Sequence, residues 1–355
     1  MTIGRLSLHW RPGKLFRREL QITDLDVRRV RVSVRQTDRQ TAEPPALPDI
    51  ALPFRLTCDR LALTDLALIP AGADDPLSVD ALTLAATWEA TALEISELGL
   101  VTSRPPAEAR LTGKVDLTGD YPVTAELDWH FLPGGELAPL AGTGRVKGDL
   151  QALRIVHRTT GRLTSGFEGE LSDLLDAPTW RALVRVDDVS THDFTRDAPA
   201  GSVAGHFSGT GTFSDASVTG TVTAELEGLD ALGRLEARVD AEIEQDLLSV
   251  SQLNLSASEV PGSLQARGRI QLTGEAPGRF DVDAEWRDLA WPPGEAPEYQ
   301  LPAGTLKASG TADAFSHEVT TRIESATLPP ADVQWEGQAT PGSMTVDTLQ
   351  VDTLG

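Results

Sequence analysis

The sequence is poor in the residues from which most catalytic and metal sites are built. Its single cysteine, Cys58, excludes an intramolecular disulfide and any site with several thiolates. The six histidines stand singly, without a second histidine or cysteine at metal-ligand spacing, and are expected at solvated or strand-edge positions. Carboxylate pairs such as Asp187-Asp188 are ordinary in so acidic a chain. We therefore predict no enzyme, no catalytic or metal site and no cofactor.

Aromatic residues and long apolar runs are also scarce. No run approaches the ~18 apolar residues of a membrane-spanning helix. Aromatic residues make up 5%, and tryptophans such as Trp129 and Trp286 alternate with polar neighbours. We expect these tryptophans to fill a dry surface rather than to stack on bases or sugars.

The charge is strongly negative but unevenly distributed. With 53 Asp and Glu against 31 Lys and Arg, the formal charge is −22, which excludes a nucleic-acid partner because phosphates would be repelled. Residues 1–40 are the exception, with ten basic and four acidic residues. These basic N-terminal strands suit an anionic lipid surface, but a solvated charged face on ordinary strands is the favoured interpretation of the charge alone.

Apolar and polar residues alternate with a period of two through nearly the whole chain. Residues 123–129 are one example, with Val123, Ala125, Leu127 and Trp129 on one side. This pattern predicts sheet with one dry and one wet face. A helical alternative at residues 226–247 is weakened by Gly233 and by the same alternation. We predict an all-β fold, an elongated, bent repetitive β-sheet groove of about 25 to 30 strands with little helix.

A repeat lies inside the alternation. Six copies of the form apolar-x-apolar-x-x-Leu-x-apolar begin at the residues Leu20, Leu56, Leu77, Leu93, Leu248 and Met344. In a flat strand the double polar insert would place the apolar residues before and after it on opposite faces. A bulge or corner that restores one apolar face is therefore predicted at each x-x pair. The leucine after the insert is expected at the corner, at positions Leu25, Leu61, Leu82, Leu98, Leu253 and Leu349.

Small residues interrupt the dry side in glycine-centred strands at 111–119, 264–270 and 306–312. They leave room for a tight bend or for a body lying against the sheet. A one-sided sheet without helices needs an apolar cover, and acyl chains fit that need. The expected lining of the groove is Val115, Leu117, Leu127, Leu253, Ile270, Leu272 and Val282. We expect one continuous groove over 1–355, with a soft break near 172–200.

In its apolar pattern and in several segments the chain resembles the TamB proteins of the AsmA-like superfamily. The resemblance is carried by Leu6-Ser-Leu-His-Trp10-Arg-Pro12 and Leu20-Gln-Ile22-Thr-Asp-Leu25-Asp-Val27, by residues 47–56 and 61–66, and by the glycine-centred strands. It implies a groove called a β-taco in the Gram-negative periplasm. It further implies phospholipid transport between the inner and outer membranes, or assistance to outer-membrane protein assembly.

The resemblance also implies partners. Phospholipid is the expected cargo, and an outer-membrane barrel protein is expected to bind through a C-terminal region. Inner-membrane anchoring is expected through an N-terminal helix, and we expect this chain to be a fragment without that helix and without the C-terminal domain. A structural β-solenoid or adhesin-like stalk without a lipid path is the alternative. Its interior would be filled by side chains, whereas a conduit would leave a continuous cleft.

Overall fold

The computed structural model describes residues 2–33, 47–69, 77–132, 139–193, 200–273, 277–293, 296–340 and 342–353. These residues form 21 strands and three short 3₁₀ helices, at Pro12–Arg17, Thr191–Asp193 and Asp230–Leu232. The all-β prediction is confirmed. The described strands are fewer than predicted because several are long, and one 18-residue strand carries two overlapping copies of the apolar pattern.

The chain divides into two units, Met1–Trp180 and Arg181–Gly355. The first contains β1 (Thr2–Trp10), β2 (Glu19–Ser33), β3 (Leu52–Ile69), β4 (Leu77–Ala90), β5 (Ala92–Ser103), β6 (Pro106–Asp116), β7 (Val123–Phe131), β8 (Leu140–Gly148), β9 (Ala152–Gly161) and β10 (Thr164–Ser172). These strands pair in chain order. Every pair is antiparallel except β2 and β3, which run parallel.

Strand β11 (Thr179–Ser190) crosses the boundary between the units. The second unit continues with β12 (Gly201–Gly211), β13 (Asp215–Leu226), β14 (Leu235–Glu244), β15 (Leu247–Ala257), β16 (Ser263–Gln271), β17 (Phe280–Trp291), β18 (Tyr299–Thr311), β19 (Ala314–Ser325), β20 (Ala331–Thr340) and β21 (Ser343–Thr353). From β12 onward the pairing is antiparallel and in chain order. Residues 226–247 are mainly strand, as predicted.

Each unit is a single layer of strands. Within the described part of each unit, extensive contacts join only strands that are neighbours in the ladder. Few apolar side chains are therefore buried, and the described ones are Val27, Val30, Ala62, Val189, Ala241, Ala284 and Val319. The alternation itself is confirmed, because exposed and half-buried residues alternate along β6 and β7.

Bulges lie at five of the six predicted x-x pairs. In β3 the residues Asp59 and Arg60 face a single residue, Ala85, of β4. In β15 the residues Ser251 and Gln252 face Arg267 alone. Strands β2, β5 and β21 shift register at the corresponding pairs. Two residues against one keep the apolar residues on one face while the strand bends.

The remaining copy, which begins at Leu77 in β4, has no register shift at its x-x pair. Its pair Asp80-Ala81 lies opposite Thr64-Asp65, which is a second x-x pair in β3, so two residues face two. A bulge was wrongly expected here because the pattern of one strand says nothing about the insert of its partner.

In the interior of the described strands, four non-glycine residues have a left-handed backbone conformation. Each is the second of the two residues that separate successive apolar residues. The φ angles are 55°, 58°, 44° and 53° at Arg29, Asp65, Asp188 and Asp288. Three of the four are aspartate, whose short polar side chain tolerates this conformation better than most.

We predict that Asp288→Val destabilises the chain by about 1–2 kcal/mol, because a β-branched residue is strained at a left-handed φ. Asp288→Asn should leave the free energy of unfolding within about 0.5 kcal/mol of the original. The measurement is urea unfolding followed by circular dichroism. Asp281→Val, an exposed position of the same strand without positive φ, is the control and should not destabilise. Equal effects at 281 and 288 would contradict the interpretation.

Candidate functional site

The apolar residues of each unit line up in rows that run across the strands. Directly paired residues share one face of a sheet, so the register defines these rows. The central row of the first unit contains Leu8, Leu25, Leu61, Leu84, Leu98, Leu111, Leu127, Gly144, His157 and Phe167. We call the surface formed by this row and the rows beside it the first apolar face.

The second unit repeats the arrangement. Its central row contains Val239, Leu253, Ala266, Ala284, Leu306, Val319, Trp335 and Leu349. A flanking row contains Ala241, Val250, Gly268, Val282, Ala308, His317, Gly337 and Val346. The surface formed by these rows is the second apolar face. Most of its side chains are half-buried by their neighbours in the sheet.

The leucines predicted at corners fall on these faces. Leu25, Leu61 and Leu98 share the first central row, and Leu253 and Leu349 share the second. Leu82 lies one row away, between Leu63 and Leu100. Five of the six are half-buried, whereas Leu349, on β21, is 63% exposed. Their role as corner residues stays a prediction.

The residues predicted to line a groove divide between the two faces. Val115 and Leu127 are half-buried on the first face, and Leu117 is half-buried in the turn after β6. On the second face Leu253, Ile270 and Val282 are half-buried, whereas Leu272 lies beyond the end of β16 and is 43% exposed. That they line a groove also stays a prediction.

Aromatic rings cover several glycines of these faces. A methyl group at Gly142 would overlap the indole of Trp129, and one at Gly304 would overlap that of Trp286. Other glycines let neighbouring backbones approach, since a Cβ at Gly268 would lie 2.6 Å from the Asp281 carbonyl oxygen. The space predicted at small residues is therefore used by the sheet itself at these positions.

Two histidines lie on the apolar faces, which the sequence analysis missed. Trp129 Nε1 donates a hydrogen bond of 2.8 Å to His157 Nε2, and the two rings are stacked 5.9 Å apart. His317 is 8% exposed, lies edge-on to Phe315, and has no hydrogen-bond partner for either ring nitrogen within the described residues. The expectation of solvated histidines is wrong here. Each histidine stands two residues after an apolar residue, Ile155 or Phe315, and therefore lies on the same side of the strand. This spacing was the available signal.

The only thiol also lies on the first apolar face. Cys58 pairs with Ile22 on one side and Ala86 on the other, and it is half-buried. Burial raises the pKa of the thiol above its ordinary value, and the nearby Asp59 carboxylate raises it further. Cys58 is therefore a poor nucleophile and a natural reporter of this surface.

The opposite side of each sheet is charged. Ion pairs cross neighbouring strands, including Arg145 with Glu126 at 2.8 Å and Arg267 with Asp283 at 3.3 Å. Exposed pairs of this kind contribute about 0–1 kcal/mol each, so they keep this side hydrated more than they stabilise it. A hollow on this side has charged residues in its lining, among them Lys114, Glu126 and Lys147.

Neither a metal centre nor a spanning helix is found in the part of the chain that the structure describes. No three His, Cys, Asp or Glu side chains there are placed to hold a metal ion. No helix there is both long and apolar enough to cross a bilayer.

These features define a class of protein: a repetitive β scaffold that presents an open apolar face and a charged opposite face. The family model described as TamB, N-terminal domain, matches residues 36–272 and 221–355, and the chain therefore belongs to the TamB family. This is a family of transport and assembly scaffolds of the Gram-negative envelope. No curated protein and no solved structure matches the chain.

We predict that Cys58 reacts with iodoacetamide more slowly than free cysteine at neutral pH, because its raised pKa leaves less thiolate. The rate should keep rising at alkaline pH after free cysteine has reached its plateau. The measurement is the alkylation rate against pH by mass spectrometry. The control is Cys58→Ser combined with Thr112→Cys, which moves the thiol to an exposed position of β6. Identical pH profiles at positions 58 and 112 would contradict the assignment.

Proposed function

We propose that the apolar faces carry the acyl chains of phospholipids through the periplasm, between the inner and outer membranes. The observation that supports this most is the single layer of strands. Rows of half-buried leucine and valine lie on one side, and the described part of each unit places no second layer over them. Exposed apolar surface of this extent calls for an apolar occupant.

The dimensions of the faces suit this cargo. Ten strands at ~4.8 Å spacing make each unit roughly 45 Å long across its strands. Successive rows are two residues apart, roughly 7 Å, so three or four rows offer a strip roughly 14–20 Å wide. Each CH₂ group buried there gains about 0.8 kcal/mol, so even partial burial of an acyl chain is strongly favourable.

The charge distribution supports the same proposal. The first unit carries 20 basic and 25 acidic residues, and the second carries 11 and 28. Acidic residues on the side opposite the apolar rows keep the scaffold soluble and repel anionic head groups from that side. The stalk alternative needs a side-chain-filled interior, and the single layer in each unit weighs against it.

Assistance to outer-membrane protein assembly is a second candidate function. Within the described residues β21 pairs only with β20, and its apolar side carries the exposed side chains of Met344, Val346, Leu349 and Val351. An exposed apolar face of this kind suits the apolar side chains of a strand in a protein that is being assembled. An outer-membrane barrel protein is the partner implied by the family resemblance.

Photo-crosslinking tests the conduit most directly. We predict that a photoreactive residue at Val115, Ile270 or Val282 forms phospholipid adducts in cells, because these side chains lie on the apolar faces. The matched controls are Lys114, Arg269 and Asp281, the exposed outward neighbours on the same strands. Equal adduct yields from both sets, or none from the inward set, would reject the conduit.

A charge on the apolar face should stop lipid passage without unfolding the chain. Ile270→Asp places an ion against acyl chains at a cost of several kcal/mol. The damage should remain local because each strand contacts mainly its two neighbours. The measurement is lipid passage in cells, with circular dichroism as the check on folding. Arg269→Asp is the control, and equal loss in both variants would contradict the proposal.

A further inference from the structure

The loop that joins β1 to β2 carries two apolar side chains that point into solvent. A 3₁₀ helix, Pro12–Arg17, forms most of the loop, and Arg18 ends it in a left-handed conformation. Phe16 is 95% exposed and Leu15 is 50% exposed. The Arg18 amide donates to the Leu15 carbonyl oxygen at 2.9 Å, so the tip is an ordered turn.

The same loop is strongly basic in an acidic protein. The loop contains Arg11, Lys14, Arg17 and Arg18, and Glu19 is the single carboxylate within residues 11–19. Lys14 pairs with Glu19 at 3.0 Å, whereas the described residues offer no ion pair to the three arginines. Four cations around exposed apolar residues complement an anionic bilayer, whose phosphates attract the cations while its interface accepts the apolar tip.

The apolar strip continues from the loop along β1. Leu6, Leu8 and Trp10 alternate on the apolar side of this strand and are 57%, 49% and 41% exposed. Leu8 pairs with Leu25 of β2, so this row belongs to the first apolar face.

We propose that residues 11–18 dock the chain onto an anionic phospholipid bilayer, with Leu15 and Phe16 inserted at the interface. The arginines then lie at the level of the phosphates, and the exposed row of β1 begins beside the membrane. The loop precedes residues 36–355, the part matched by the family model. Docking is independent of the proposed lipid passage, because a loop can bind a bilayer without moving lipid.

The test is flotation of the full chain with vesicles of phosphatidylcholine containing about one third phosphatidylglycerol, at low salt. We expect binding that is lost with phosphatidylcholine alone and in about 0.5 M salt, where charge attraction is screened. Leu15→Ser with Phe16→Ser should weaken partitioning roughly tenfold or more, since both side chains would leave the interface. Arg11→Gln with Arg17→Gln should weaken it roughly 30-fold.

The matched control is Phe213→Ser. Phe213 is 81% exposed at the tip of the β12–β13 hairpin, beside Asp215 and in the acidic second unit. This variant should bind vesicles as the original chain does. Circular dichroism of each variant checks its folding, and the lipid and salt dependence of the original chain tests docking without any substitution.

Three results would overturn the proposal: equal binding to both kinds of vesicle, unchanged binding of both double variants, or equal weakening by Phe213→Ser. If the loop variants instead abolish self-association while no vesicle binding is seen, the loop binds acidic protein surface and not lipid. Failure of the crosslinks at 115, 270 and 282 with vesicle binding intact would reject the conduit and leave the docking loop standing.

Discussion

The structure depends on keeping apolar side chains on one face of a sheet over strands as long as 18 residues. Side chains alternate along a strand, so any odd insertion would turn the apolar row toward the charged side. The bulges at Asp59-Arg60 and Ser251-Gln252 satisfy this constraint by placing two residues opposite one. Because the same device recurs along the chain, leucine meets leucine across seven consecutive strands of the first unit, from Leu8 in β1 to Leu127 in β7.

In a single-layer sheet, close packing must come from side chains and backbone of the sheet itself, because no second layer contributes contacts in the described part of either unit. Aromatic rings provide this by lying across neighbouring strands at glycine, as Trp129 does at Gly142 and Trp286 at Gly304. Elsewhere the backbone of the next strand takes the place of a side chain, as at Gly268. In each unit the described strands thus leave the apolar face without a covering layer, which suits the acyl chains proposed as its occupants.

Local pattern predicted the fold class, the apolar side and most bulges, because each is a consequence of spacing along one strand. Longer-range features were not visible. The parallel pairing of Leu25 with Leu61 depends on how β2 and β3 meet, and the ring of Trp286 finds Gly304 only through the register of β17 and β18. The left-handed backbone at Asp188 was not predicted, because valine, Val189, follows this insert where the repeat has leucine. His317 was misjudged from its residue type alone.

The proposal that the apolar faces hold acyl chains is tested most directly by measuring how much phospholipid remains bound to the chain when it is purified from envelopes without detergent. We predict bound phospholipid that falls sharply in Val282→Asp, which places a charge in a row of the second face, and that stays unchanged in Asp281→Ser on the charged side of the same strand. A chain that carries no phospholipid, or equal amounts in both variants, would contradict it.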